Sequence, residues 1–390
     1  MFTTIVNLVG SVLHLSLVSI PNRSFYHVAE DLITVTAQIG VYYYIIVYVP
    51  LQRVAARLYL KLSKFDAFGK PPDFDEHSIK LKYVALAYKM GLNTVVTAYF
   101  FEPILTRHFC ERQNEARHFK DICGLVTASW MPFNIEEFPN KQLFYMWQTY
   151  SIYWTYEGSA AISFLIVGTM EHVLVRIWHL RTMIKEAIET ENEESRKQQV
   201  SRCLEYHNHI FELAHDVDKI YKRCLFVHVL FSGVLFGIMG FSILTVGMSI
   251  KTISLFVVWV CAAIFSSLSA QRLYDGSILI GEEVYNSKWY DRDYKFQRDL
   301  ITILKRAQKP ITIHAGPFAE ISNVFILTIF KTAYSYLTLL MASSKGDLSE
   351  VFLCSLMTVI LHQPQDLLEF LNDLDLWWRI LEIIQWKRTE

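Results

Sequence analysis

The sequence is short of charge. Only 19% of its 390 residues are Asp, Glu, Lys or Arg, and the formal net charge is -1. A balance so close to zero gives no global attraction for nucleic acid. The strings that mark common chemistries are missing as well: no Walker A, GxSxG, HExxH or GxGxxG occurs, so catalysis has no positive support and no cofactor is called for. The six cysteines (Cys110, Cys123, Cys203, Cys224, Cys261 and Cys354) contain no CxxC pair, and the 13 histidines follow no metal-ligand spacing. Zinc modules and other metal sites are therefore not expected. Internal repeats, which a transporter would show, are also absent.

What the chain has in quantity is apolar surface. Hydrophobic residues make up 52% and aromatics 14%, and mean hydropathy is +0.24. These values belong to a multi-span membrane protein in contact with lipid. Seven stretches reach the roughly 20 residues that a helix needs to cross a bilayer: 2–20, 31–50, 83–104, 144–172, 225–248, 253–271 and 318–342. The first lacks the basic leader of a signal peptide. It reads as a span whose preceding cytoplasmic segment is absent from this chain.

Lys and Arg in the loops set the orientation. Loops 51–82, 173–224 and 272–317 hold seven, nine and eight of them; the alternate loops hold one, five and one. The first set is expected in the cytoplasm, which puts the N-terminus inside. A G-protein-coupled receptor has the opposite orientation and usually an NPxxY-like string in its last span, which is missing here. The sequon at Asn22 falls in a loop expected outside and is the glycosylation candidate. Cys110 and Cys123 share the next outside loop, either as a disulfide or as two free thiols.

Two inside loops have helical spacing. Apolar positions recur at Val200, Leu204, Ile210, Phe211, Ala214, Val217, Tyr221 and Leu225. The fourth span is expected to run on past the bilayer, turn near Glu193 and return through a long helix into the fifth. Residues 289–307 form an amphipathic helix with Phe296, Leu300, Ile303 and Leu304 on one side, ending before Pro310. These are either solvated cytoplasmic helices or a domain whose apolar stripes meet those of other copies, because a lone copy would leave them wet.

The last span carries Lys331 near its middle. A charge there costs about 2.5–3.5 kcal/mol on insertion scales. At 100° per residue, Thr328, Lys331, Ser335, Thr338 and Ala342 share a stripe, opposite Ile326, Ile329, Ala333, Leu337 and Leu340. The stripe either hydrogen-bonds to neighbouring helices, or lines an aqueous path between subunits, or lets the lysine reach an interface.

Residues 281–340 resemble the C-terminal signature of insect odorant receptors. The similarity rests on Tyr285, Trp289–Tyr290, Gln308–Pro310, Ala315–Gly316, Tyr334–Ser335–Tyr336 and Leu339–Leu340, with residues 130–140 (WMPFNIEEFPN) resembling the family's second extracellular loop. The resemblance runs from residue 1 to about 343. It implies an all-α membrane protein with seven transmembrane helices, a cytoplasmic N-terminus and a helical cytoplasmic anchor region. It also implies an odorant-gated, non-selective cation channel subunit, assembled as a heterotetramer with the odorant receptor coreceptor in the plasma membrane of a sensory dendrite. Residues 1–272 would hold six spans and a pocket for a volatile odorant in their outer half, with cytoplasmic extensions at about 173–224. Residues 273–317 would be the anchor helix region and 318–343 the pore helix. Residues 344–390 extend beyond the usual end of the family.

Pocket candidates at the expected depth are Tyr42, Tyr43, Tyr99, Tyr150, Tyr153, Trp154, Phe256 and Trp259, because aromatic, mostly apolar walls suit small volatile ligands. The pore candidates are Thr328, Lys331, Ser335, Thr338, Met341 and Ala342, the last three mapping near the outer gate. Alternatives are a gustatory receptor channel, which would assemble without a coreceptor, and a G-protein-coupled receptor.

Overall fold

A computed structural model describes residues 2–19, 25–117 and 122–343, apart from residues 246, 248, 288 and 318. Asn22 and the 344–390 extension lie outside the described residues. Ten α-helices and one small hairpin are described. They are α1 (Phe2–His14, continued by a π-turn over Leu15–Ser19), α2 (Phe25–Tyr48), α3 (Gln52–Leu62), α4 (Phe74–Leu105), α5 (Arg107–Arg117), α6 (Asn140–Glu189), α7 (Glu193–Thr245), α8 (Ile250–Tyr285), α9 (Tyr294–Ala307), β1 (His314–Ala315), β2 (Ala319–Glu320) and α10 (Asn323–Ser343). Met1–Tyr336 form one compact unit. Leu337 begins a second, whose described residues complete α10.

The seven expected spans reappear as α1, α2, α4, α6, α7, α8 and α10. Among the described residues, five helices are long and apolar enough to cross a membrane: Val28–Leu62 (α2 running into α3), α6, α7, α8 and α10. The N-terminal helix is shorter but apolar. At 32 residues α4 has the length, but it carries Lys80, Lys82, Lys89 and Glu102. The last span starts later than expected. Residues 319–320 are extended in the hairpin, so α10 begins at Asn323 rather than at 318.

The two longest helices, α6 with 50 residues and α7 with 53, run well beyond bilayer thickness. Neither contains proline, and the three residues between them make the turn expected near Glu193. Asn192 Oδ1 accepts the amides of Glu194 (3.0 Å) and Ser195 (3.1 Å), capping α7. Glu193 and Glu194 add negative charge to its first turn.

Beyond the spans these helices build a core of soluble type. Ile177, Leu180 and Ile184 of α6 meet Val200, Ile210 and Val217 of α7. Leu273 and Ile280 of α8 and Phe296, Leu300 and Ile303 of α9 close it. A fully buried side chain of this size contributes about 1.5–3 kcal/mol. This corrects one expectation: the apolar stripes of 198–225 and 289–307 are not left wet in a single copy, because they cover one another. They give no independent argument for association.

The hairpin explains the Gln308–Pro310 and Ala315–Gly316 signature. Ile311 N donates to Ser277 Oγ (2.9 Å), His314 N to Asp218 Oδ1 (2.7 Å) and Gly316 N to Lys222 O (2.9 Å), so the segment is strapped to α7 and α8. Gly316 has φ +63°, and a Cβ there would sit 3.0 Å from the Phe226 ring, so no other residue fits without strain. At the opposite end, Cys110 and Cys123 are disulfide-bonded with Cα atoms 5.7 Å apart. The following loop is pinned by buried Gln148, whose Nε2 donates to Thr127 O and Ser129 Oγ, both at 3.0 Å.

Candidate functional site

Two neighbouring cavities open between the spans. The first lies among α2, α4, α6 and α8, with about 360 Å³ of space between side chains, its mouth included. Its walls are Thr34, Ala37, Gln38, Val41 and Tyr42 from α2, Tyr99 from α4, Ile152, Thr155 and Tyr156 from α6, and Leu255 from α8. The second, about 450 Å³, adds α7 through His228 and is floored by Tyr44, Tyr88 and Trp259. Val41 and Tyr156 line both. Walls of this kind, mostly apolar with a few polar groups, have the chemistry of a site for a small apolar ligand.

Helical spacing decides which α2 side chains reach the first cavity. Thr34, Ala37, Gln38, Val41 and Tyr42 fall at steps of three, one, three and one, which is a single helix face. Most of their polar atoms are committed. Tyr42 Oη donates to Thr4 O (2.7 Å), Thr34 Oγ1 to Glu30 O (3.0 Å) and Thr155 Oγ1 to Ser151 O (2.8 Å). In the second cavity the hydroxyls of Tyr44 and Ser163 are 3.2 Å apart, and the His228 ring lies on Trp259 at 5.1 Å.

Of the pocket candidates, Tyr42, Tyr99 and Trp259 line a cavity. The others do not. Tyr150 and Trp154 are 60% and 59% exposed on the outside of the bundle, and Tyr153 is half-buried with its ring against Trp154. These are the positions where an interfacial aromatic belt competes with a pocket for the same residue types. Tyr43 packs against the main core. Phe256 meets Phe236 edge-on at 5.2 Å. The cavity walls also hold Gln38, Tyr44, Tyr88, Tyr156 and His228, which are not among the candidates read from the sequence. Two had a signal in the sequence: Gln38 and His228 are polar side chains inside apolar runs, where such groups face the bundle interior.

A buried carboxylate of α4 sits at the start of α8. Glu102, 7% exposed, accepts from Ser249 Oγ (2.9 Å) and from the Lys251 backbone amide, and so caps the start of α8. The Lys251 ammonium lies 5.9 Å from the Tyr99 ring centre.

The last helix turns one face to the bundle and one away. Ile329 and Ala333 are buried. Phe330 stacks on Phe236 of α7, their rings 5.5 Å apart and 14° from parallel. At Gly237 of α7 a Cβ would come within 2.7 Å of Tyr336 Cβ and 3.1 Å of Ala333 O, a contact that only glycine permits. On the other face Thr328, Lys331, Thr332 and Ser335 are exposed, interleaved with exposed Val324, Leu327 and Tyr334. The Thr332 and Ser335 hydroxyls bond back to Thr328 O and Lys331 O of their own helix. Thr338, Met341 and Ala342 continue α10 in its last two turns.

Residues 75–334 match the family model described as 7tm odorant receptor. The chain belongs to that family. Among its relatives, odorant receptor 85d of Drosophila melanogaster is 31% identical over 139 residues, covering 35% of this chain and 34% of that protein. Odorant receptor Or2 of Anopheles gambiae is 27% identical over 150 residues, covering 36% and 38%. The receptor chain therefore spans about a third of the length of each of these relatives. Its fold is that of the insect olfactory receptor OR5 from Machilis hrabei, solved in complex with eugenol, at a TM-score of 0.71 over 87% of both chains with 12% identity. This member of the odorant receptor family has an all-α, multi-pass membrane fold.

Proposed function

We propose that this odorant receptor is the tuning subunit of a ligand-gated, non-selective cation channel, assembled with the odorant receptor coreceptor in the plasma membrane of a sensory dendrite. In this reading the N-terminus is cytoplasmic, residues 1–272 carry the odorant pocket, 273–317 belong to the anchor between subunits and 318–343 line the pore. The cavities among α2, α4, α6, α7 and α8 receive the volatile.

The observation that carries the reading is the polarity of α10. Ile329 and Ala333 are spent on the bundle, and Thr328, Lys331 and Ser335 are turned outward among the exposed apolar side chains Val324, Leu327 and Tyr334. Turned to lipid, that face would put an ammonium into hydrocarbon at about 2.5–3.5 kcal/mol. Turned to a water-filled axis shared with partner subunits, it is solvated. The coreceptor is the partner that the family's composition implies.

The test is co-expression with the coreceptor under voltage clamp. Odorant-evoked inward current that needs both chains is the expected result. Silence across a broad volatile panel, with surface expression of both chains demonstrated, would overturn the reading. Current from this chain alone would favour the gustatory type of channel.

A further inference from the structure

The first cavity contains one side chain whose hydrogen bonding the protein leaves open. Gln38 lies on the α2 face that lines it. Its Oε1 and Nε2 are both buried, and neither has a hydrogen-bond partner among the described residues. Which end of the carboxamide is oxygen does not matter to the argument, because both ends are unmatched.

Three neighbouring hydroxyls are committed elsewhere: the protons of Tyr42, Thr34 and Thr155 are given to backbone carbonyls. The oxygens of these side chains can still accept, so this wall is rich in acceptors. Gln38 Oε1 is an acceptor that calls for a donor from whatever fills the cavity. In the free receptor water can serve; a ligand that displaces the water must replace its bonds.

We infer that the cavity among α2, α4, α6 and α8 is tuned to volatiles carrying a hydroxyl group, alcohols or phenols, with Gln38 as the residue that reads the hydroxyl. The inference rests on the odorant-pocket reading above. A hydroxyl both gives and takes: its single proton is donated to Gln38 Oε1, and its oxygen keeps lone pairs with which to accept. An ester, ketone or ether of the same skeleton takes the Nε2 proton but leaves Oε1 buried without a donor. A missing donor to a buried acceptor weakens binding by roughly tenfold or more. The rest of the wall (Ala37, Val41, Ile152, Leu255) holds the hydrocarbon part and does not discriminate.

The experiment compares primary alcohols with the methyl ethers and acetates of the same carbon skeleton. It uses the full chain co-expressed with the coreceptor, with surface labelling of every variant. For the wild type, the half-maximal concentration of the alcohol should be at least about tenfold below that of its methyl ether. In Gln38→Leu, and independently in Gln38→Met, the ratio should fall to near one while a response to the ether persists. Equal potency of alcohol and ether in the wild type would overturn the assignment, as would a tenfold preference surviving in both variants. Either result leaves the pocket reading standing. That reading is tested separately by Ala37→Phe, which fills the cavity. If Ala37→Phe leaves every response intact while surface expression is normal, the pocket itself is misplaced, and the Gln38 assignment falls with it.

Discussion

A polar group sealed inside a protein without a partner destabilises the folded state by about 1–3 kcal/mol, and several side chains here are in that position. His207 is fully buried in the part of α7 beyond the spans, beside Phe211, with neither ring nitrogen bonded. Burial first, then the nearby Arg306 charge, lowers its pKa to about 4. Such a group binds a proton more readily in the unfolded chain, so its contribution to stability is full above about pH 6.5 and declines as pH falls toward 4. The size is about 3 kcal/mol at the limit. His207→Phe is expected to be neutral or stabilising at pH 7. It should also flatten the loss of thermal stability between pH 6.5 and 4 relative to wild type, as read by melting of the purified receptor. A second residue-scale contrast concerns two glycines of α7. Gly237→Val should lower stability by about 1–3 kcal/mol through its clash with Tyr336 and Ala333 O. Gly233→Ala, where a Cβ meets nothing nearer than 3.8 Å, should be tolerated. Neither the orphan histidine nor the obligatory glycine was legible from the sequence. Both depend on which side chain of another helix arrives opposite, and helix periodicity does not carry that information.

At the scale of elements the sequence spoke more clearly. The long α6–α7 hairpin with its turn after residue 189, the amphipathic α9 ending before Pro310 and the two faces of α10 all follow from apolar spacing and breakers. Spacing does not say what covers a stripe, and so the α7 and α9 faces were open to an intermolecular reading that their mutual packing removes. Nor did spacing reveal how the ends of the spans are tied. Glu171 of α6, 2% exposed, has His77 Nε2 of α4 at 3.1 Å on one oxygen, and accepts Ser269 Oγ and Arg272 Nη1 of α8, each at 2.9 Å, on the other. Arg272 also lies over the Trp178 ring, 5.7 Å from its centre. One carboxylate thus joins three helices. Glu171→Ala is expected to lower stability by about 2 kcal/mol, less than for a fully buried pair because Arg272 remains half exposed. Arg272→Lys should lose part of that amount, since an ammonium keeps the charge but not the planar guanidinium over Trp178. Melting temperatures of the purified variants, with Glu171→Gln as a volume-matched control, test both. A Glu171→Ala melt unchanged from wild type would remove the clasp from the account.

For the whole molecule, membrane class and helix order could be read from composition and hydropathy, and the family from scattered residues of 281–340 and from 130–140. Of the pocket candidates, Tyr42, Tyr99 and Trp259 line the two cavities, while Tyr150 and Trp154 are exposed on the outside of the bundle, because depth along a span does not say which side of the helix faces inward. The expected orientation agrees with the Cys110–Cys123 disulfide, a bond of oxidising compartments, in a loop expected outside. The bridge closes a loop of 13 residues, and its loss through Cys110→Ser together with Cys123→Ser should lower stability by about 3 kcal/mol, seen as reduced surface expression.

The central claim is that the outward face of α10 meets water on an axis shared between subunits. Single cysteines at Thr328 and Ser335, and in parallel at Ile329 and Ala333, can be challenged with a membrane-impermeant thiosulfonate while current is recorded from the co-assembled channel. The account predicts that the reagent alters odorant-evoked current at 328 and 335 and leaves 329 and 333 untouched. Modification at 329 and 333 with none at 328 and 335 would contradict it.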